Sequence, residues 1–376
     1  MWWLCATSTG TAIVAKPSES GRLRVDATRF VREDGSTFAW RGFSDFSLFH
    51  RFLSGDAIDA VLAERAALGA NVLRVFGMYG AEGIGRANGL GALVPSKQPR
   101  YFDRLAAFLD LIAARGLRVE FVVFADAQEL MPSAADQQTH LNRVAAVLAP
   151  RWNAIGEIVN EPFKNGVEPM RLRAPAGMLW ASGEYAWDDG AAASHLDFVT
   201  WHPDRSTGWP SSAQAQMDMA ARVRVPVVAD EPLGFAEAAR EGERSTSADE
   251  AAWFAAAAAL AGAGATFHSD AGVASQRLGP AQKAAASAWF AGASWVPAAA
   301  QMAPRANDLL PDGARETICK RADGFSWCVA AKPDATWRPR PRNGCRVIEE
   351  PRRGLVKLAC SGGNLVAMLF NRYQPD

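Results

Sequence analysis

From Arg41 onward the chain repeats one unit: apolar residues at helical spacing, a glycine stop, then a short apolar run rich in β-branched residues. Repeated alternation of this kind calls for consecutive βα units around a parallel sheet, because each helix must bury its apolar stripe on a strand layer. Ile58, Val61, Leu62 and Leu68 share a helix face that stops at Gly69, and Val72–Phe76 follows as a strand. Leu105, Phe108, Leu109 and Ile112 stand at i, i+3, i+4 and i+7 before Gly116. Leu117–Phe124 then forms a nearly continuous apolar run, the pattern of a strand buried on both faces.

The runs Gly42–Phe46, Ile155–Val159, Met178–Ala181, Leu196–Trp201, Val225–Ala229 and Ala265–His268 extend the series. Together they make about eight strands, the number that closes a parallel barrel of roughly 250 residues. The expected fold class is therefore α/β, a (β/α)8 TIM barrel. The competing open doubly wound sheet would carry a glycine-rich phosphate turn after its first strand, and none is there. Gly80–Gly91 is glycine-rich but follows a later strand and lacks a Gly-Lys-Ser/Thr ending, so it reads as a mobile loop over the site. Alternating residues from Leu23 to Trp40 around Asp34-Gly35 predict a β-hairpin under the barrel bottom. Past Pro304, short alternating runs at Phe325–Ala330 and Leu355–Leu358 flank a Pro/Arg-rich stretch, Trp337–Arg342, and predict a small β-rich appendage. The expected division is residues 1–20 as an N-terminal segment, 21–303 as the barrel and 304–376 as the appendage. There is no repeat of solenoid type.

Charge narrows the partners. Forty basic residues balance forty acidic ones with no basic run, which argues against nucleic acid and anionic lipid and suits a neutral partner such as a glycan. No apolar stretch reaches the roughly 20 residues needed to cross a bilayer, so no membrane association is expected. Residues 1–20 have an apolar patch but no basic residue before Lys16, which fits a processing remnant as well as a signal peptide. Four of the five cysteines, Cys319, Cys328, Cys345 and Cys360, crowd the appendage. Lacking the short spacing of a zinc site, they predict two bridges and a secreted or periplasmic protein, leaving Cys5 over. A monomer is expected.

In a (β/α)8 barrel the chemistry sits at the C-terminal ends of the strands. Polar residues fall there in order: Arg74 within the second run, Asp126 after the third, Asn160 and Glu161 at the fourth, His202 after the sixth, Asp230 and Glu231 after the seventh, His268 and Asp270 after the eighth. Two carboxylates facing one another across a barrel mouth are what glycosidic cleavage needs, one giving a proton to the leaving oxygen and one meeting the positive charge at the sugar carbon. Glu157 and Glu184 are the fallback carboxylates, Glu157 being disfavoured by its place inside a strand. No His-x-His or His-Glu-x-x-His spacing occurs, so neither a metal nor a cofactor is assigned, and the absence of Gly-x-Ser-x-Gly argues against an esterase.

Ile158-Val159-Asn160-Glu161-Pro162 resembles the Asn-Glu-Pro strand end of the clan A glycoside hydrolases, especially the cellulase family five, and the likeness runs from about Leu23 to Phe290. The resemblance implies Glu161 as acid/base and Asn160 as the residue holding the sugar 2-hydroxyl. Glu231 in Val227–Gly234 would be the nucleophile, Arg74 its hydrogen-bonding partner, and His202 a lining residue. It also implies retention through a glycosyl-enzyme, with carboxyl groups about 5 to 5.5 Å apart. Two positions depart from the family: Asp204 stands where a Tyr is common, and Phe267-His268 where a Trp ends the eighth strand.

Thirteen tryptophans exceed what a core of this size needs, and Trp180, Trp187, Trp201 and Trp209 fall near strand ends or the loops after them, where rings can stack on sugar faces, although a tryptophan taken singly is more often a core residue than such a platform. The expected activity is hydrolysis of β-linkages in a glucan, mannan or related polysaccharide. The alternatives are a carbohydrate-binding barrel without turnover and, more distantly, a barrel hydrolase acting on a non-sugar substrate.

Overall fold

The computed structural model describes residues 21–183, 196–203, 205, 209–232, 247–261, 263–298, 300, 317–322, 324–330 and 345–360. Glu184, Trp187, Asp204, the Trp209 side chain and the Trp337–Arg342 stretch lie outside the described residues.

Eight strands form the central sheet: β4 (Trp40–Ser44), β5 (Val72–Phe76), β6 (Arg118–Phe124), β7 (Ala154–Val159), β8 (Trp180–Ala181), β9 (Val199–Trp201), β10 (Val227–Ala229) and β11 (Gly264–Phe267). Their order is β8-β7-β6-β5-β4-β11-β10-β9, every pairing is parallel, and a parallel bridge from Ala181 to Phe198 joins the two ends. The result is a closed (β/α)8 barrel, each strand falling on one of the runs expected from sequence. Strands β5, β6 and β7 are buried along their whole length, the consequence of an outer helix layer and an inner packed core. The helix over Asp59–Leu68 ends at Gly69, whose φ of 102° no residue with a Cβ adopts cheaply. At the seam between β7 and β8 a Cβ on Gly156 would stand 2.2 Å from the Trp180 ring, so only glycine lets that indole lie against the strand.

Beneath the barrel, β1 (Arg24–Asp26), β2 (Arg29–Val31) and β3 (Thr37–Phe38) form an antiparallel sheet, three strands where a simple hairpin was expected. The turn between β2 and β3 is the Asp34-Gly35 turn, with Ser36 N–H donating to Asp34 Oδ1. Leu23, Phe30 and Phe38 pack with Trp40, Val72 and Phe198 at the strand starts, closing the bottom.

The appendage is an antiparallel sheet, β12 (Thr317–Ala322), β13 (Phe325–Ala330), β14 (Cys345–Arg352) and β15 (Leu355–Cys360), in the order β12-β13-β15-β14. A disulfide joins register partners Cys319 and Cys328, and Cys345 and Cys360 are register partners at the far edge. The sheet packs on the helix Ala248–Ala261, with Trp253 Nε1 donating to the Arg353 carbonyl, while Trp327 meets Trp295 edge-on at 5.0 Å. Among the described residues no helix is long and apolar enough to cross a membrane.

The Gly80–Gly91 segment lies over the mouth as expected, but it is pinned. Ile84–Asn88 is helical, Tyr79 bridges Leu93, Gly80 N–H donates to Asp126 Oδ2, and Asn88 Nδ2 donates to Tyr79 OH and Ser47 Oγ. Glycine content signalled tight turns here, and the side-chain bonds that hold them are long-range.

Candidate active site

At the C-terminal ends of the strands a cavity of about 1200 Å³ opens, lined by residues that include Asn160, Glu161, His202, Glu231 and His268. A smaller cleft of about 540 Å³ beside Tyr101 and His140 lies between helices and lacks the strand-end residues.

Arg74 organises the floor. Fully buried in β5, its guanidinium donates from Nε and Nη2 to both oxygens of Glu157 at 2.8 Å, from Nη2 to Asn160 Oδ1 at 2.9 Å and from Nη1 to Glu231 Oε1 at 2.8 Å. One planar fork thus ties the second, fourth and seventh barrel strands together. Asp230 Oδ2 lies 3.5 Å from its Nε. Glu120, Glu157 and Asp230 gather their oxygens within 4.8 Å of one another in the core below, a set that could offer ligands to a cation. Arg74 already supplies the positive charge there. Burial pushes Asp230 up to about 7 and Glu120 well above its usual range.

The two candidate glutamates flank His202. Its Nδ1 is 3.9 Å from Glu161 Oε1 and its Nε2 is 3.8 Å from Glu231 Oε1. Both glutamates hold left-handed backbone, φ 43° at Glu161 and 51° at Glu231, as does Asp126 at 52°. A residue with a Cβ pays on the order of 1 to 3 kcal/mol for such a conformation, and it persists only where the surroundings enforce it. Here the enforcement is visible: Asn160 N–H donates to the Phe124 carbonyl, Asp230 N–H to the Trp201 carbonyl, and Asn165 Nδ2 to the Glu161 carbonyl. The turn aims each carboxylate into the mouth.

Glu231 is ionised. Burial opposes the charge, but His202, Arg74 and Arg205, joined by His268 once it is protonated, outweigh it and hold the carboxyl well below the usual range. Arg205 donates to Glu231 Oε2 and to the Glu231 carbonyl, both at 3.0 Å. Glu161 is drawn down to about 2 chiefly by the neighbouring His202, then by Lys164, against burial. His268 sits 5.3 Å from Phe46, and burial lowers it to about 3, so it is neutral near pH 7.

Sequence reasoning named Arg74, Asn160, Glu161, His202, Glu231 and His268, and the structure brings all six together. Trp180 and Trp201 are corrected. Each is 2% exposed and lies outside the cavity lining, Trp180 with its Nε1 bonded to the Pro175 carbonyl, so neither offers a face to a ligand. Their large rings belong to the hydrophobic core. Lys164 and Arg205 were not foreseen, although Lys164 stands three residues past Glu161, where one helical turn returns a side chain to the same face. No sequence signal marks Arg205.

No protein-family model matches this chain, and no curated protein does. Solved structures share its fold. A glycoside hydrolase family five protein from Bacteroides vulgatus aligns with TM-score 0.57 at 16% identity over 84% of this chain and 81% of its own. A candidate glycoside hydrolase from the same organism aligns with TM-score 0.63 at 13% identity over 91% and 72%. A third, a glycoside hydrolase, aligns with TM-score 0.58 at 14% identity over 86% and 85%.

Proposed function

We propose that this chain is a retaining glycoside hydrolase of clan A, akin to the cellulase family five, that cleaves β-linkages in a polysaccharide of the glucan or mannan type. The observation that carries the reading is the placement of Glu161 and Glu231 on either side of His202, with Arg74 bonded to Glu231. In this reading a Glu231 oxygen attacks the anomeric carbon while the bond to the leaving oxygen breaks, and that oxygen takes a proton from Glu161. Water, deprotonated by Glu161, then displaces Glu231 from the sugar. Asn160, held by Arg74, is oriented for the sugar 2-hydroxyl.

Glu161 must carry a proton for the first step, yet His202 and Lys164 hold its carboxyl low. Sugar binding that draws Lys164 away and excludes water would raise its affinity for that proton. The Cys319–Cys328 bridge favours an exported protein.

The test is hydrolysis of β-glucans, β-mannans, xylan and aryl β-glycosides by the wild type beside Glu161→Ala and Glu231→Ala. Turnover by the wild type that disappears in both variants supports the reading. A second reading, a glycan-binding barrel without turnover, draws on the cations that occupy both glutamates. Binding without any hydrolysis would favour it.

A further inference from the structure

One buried side chain braces the turns that follow β6 and β7. Asn165, 5% exposed, ends the short helix Pro162–Asn165, and its amide meets three backbone groups. Oδ1 accepts from the Asp126 N–H, and Nδ2 donates to the Asn160 carbonyl and, at 3.2 Å, to the Glu161 carbonyl. These partners fix the orientation of the amide, since turning it over would set its oxygen against two carbonyls. Both residues that it ties are left-handed, Asp126 at φ 52° and Glu161 at φ 43°.

The brace reaches further on each side. Asp126 Oδ2 accepts from the Gly80 N–H at 2.8 Å, so the loop over the mouth hangs from the same frame. A Cβ on Gly166 would stand 2.5 Å from the Gln128 Cβ, which shows how closely the turn after β7 is pressed on the residues after Asp126. Glu231 is held by other means, Arg74 and Arg205 on its carboxylate and the Asp230 N–H on the Trp201 carbonyl. The Asn165 amide therefore acts on one carboxyl of the pair.

Resting on the hydrolase reading, we infer that Asn165 is a positioning residue for the acid/base: by locking Glu161 and Asp126 against each other in left-handed backbone, it sets the Glu161 carboxyl where it can protonate the leaving oxygen. Freed of the amide, Glu161 would relax toward negative φ, where a residue with a Cβ is at ease, and its carboxyl would swing with the Cα–Cβ bond. Attack by Glu231 would be untouched, whereas proton transfer needs Glu161 within hydrogen-bond reach of the leaving oxygen.

The experiment compares kcat/KM on two kinds of probe, dinitrophenyl β-glycosides of gluco- and manno-oligosaccharides, whose phenolate leaves without protonation, and the parent β-linked oligosaccharides, whose leaving oxygen must be protonated. Asn165→Ala should lower kcat/KM on the oligosaccharides by at least about tenfold, since a misplacement of about 1 Å costs on the order of 10²-fold. On the dinitrophenyl glycosides it should change little. In a Glu161→Ala background the same substitution should cost less than about twofold on either probe, because the group that it positions is gone. Asn165→Asp, close in volume, keeps the acceptor for the Asp126 N–H and loses the donor to the two carbonyls. It should show the same selective loss, and it carries the comparison if Asn165→Ala does not fold. Equal losses on both probes, a loss that persists without Glu161, or no loss at all overturns the inference and leaves the hydrolase reading standing. If the wild type cleaves neither probe, the hydrolase reading falls and this inference with it.

Discussion

Arg74 Nη1 donates to Glu231 Oε1 at 2.8 Å, joining a fully buried guanidinium of the second barrel strand to the carboxylate that follows the seventh. The same guanidinium is the cation nearest to Glu157 and Asp230, so it serves the fold and the site at once.

Replacing it should therefore damage both. Arg74→Met leaves buried carboxylates without their cation, a change that costs about 3 to 5 kcal/mol when one partner of a buried pair is removed. Urea unfolding should show a lowered midpoint. A midpoint within error of wild type would mean the carboxylates below are neutral without Arg74.

The acid role of Glu161 has a signature in leaving-group dependence. Glu161→Ala should lower kcat on the order of 10² to 10⁴-fold on sugars with poor leaving groups. Aryl glycosides whose phenolate leaves without protonation should be affected far less in their first step. Equal losses on both kinds of substrate would reassign the residue to binding.

Asp230 ties stability to pH. Burial raises its folded value to about 7 from a reference of 3.8, so the stability it contributes is present below the reference value and is lost as pH rises through 7. Asp230→Asn cannot ionise. The melting temperature of Asp230→Asn relative to wild type should thus climb between about pH 4 and pH 8. A constant difference across that window would show that Asp230 keeps its charge in the fold, paired to Arg74.

The seam between β7 and β8 depends on the missing Cβ of Gly156. Gly156→Val should displace the Trp180 ring and destabilise the barrel by about 1 to 3 kcal/mol, the usual cost of overpacking. Tryptophan fluorescence and thermal melting would register it, and an unaltered spectrum with an unaltered melt would place the ring elsewhere.

Two residues have an importance that the sequence hid. Glu157 looks, in sequence, like one polar residue inside an apolar strand, because its partner Arg74 lies 83 positions away and only barrel closure makes them face each other. Arg205 is hidden for the same reason: it meets Glu231 across 26 positions with no periodic relation between them. The tryptophans failed in the opposite direction. Proximity to a strand end does not say whether a ring lines the mouth or is buried, and Trp180 and Trp201 are buried outside the cavity lining.

What the sequence determined by itself was everything local in origin: the eight strands, the helices between them, the glycine stops and the order in which polar residues reach the strand ends. Hydrophobic periodicity and turn chemistry act over a few residues, so they can be read directly from the chain. Apart from the Arg74–Glu231 pair, which the family resemblance implied, the tertiary structure alone decided which charges are paired. The buried set around Arg74, the cations resting on Glu161 and Glu231, and the protons held on Glu120 and Asp230 arise from burial and from separations of a few ångströms between distant positions. Coulomb and desolvation energies depend on those distances and on the surrounding medium, and neither exists until the barrel has closed.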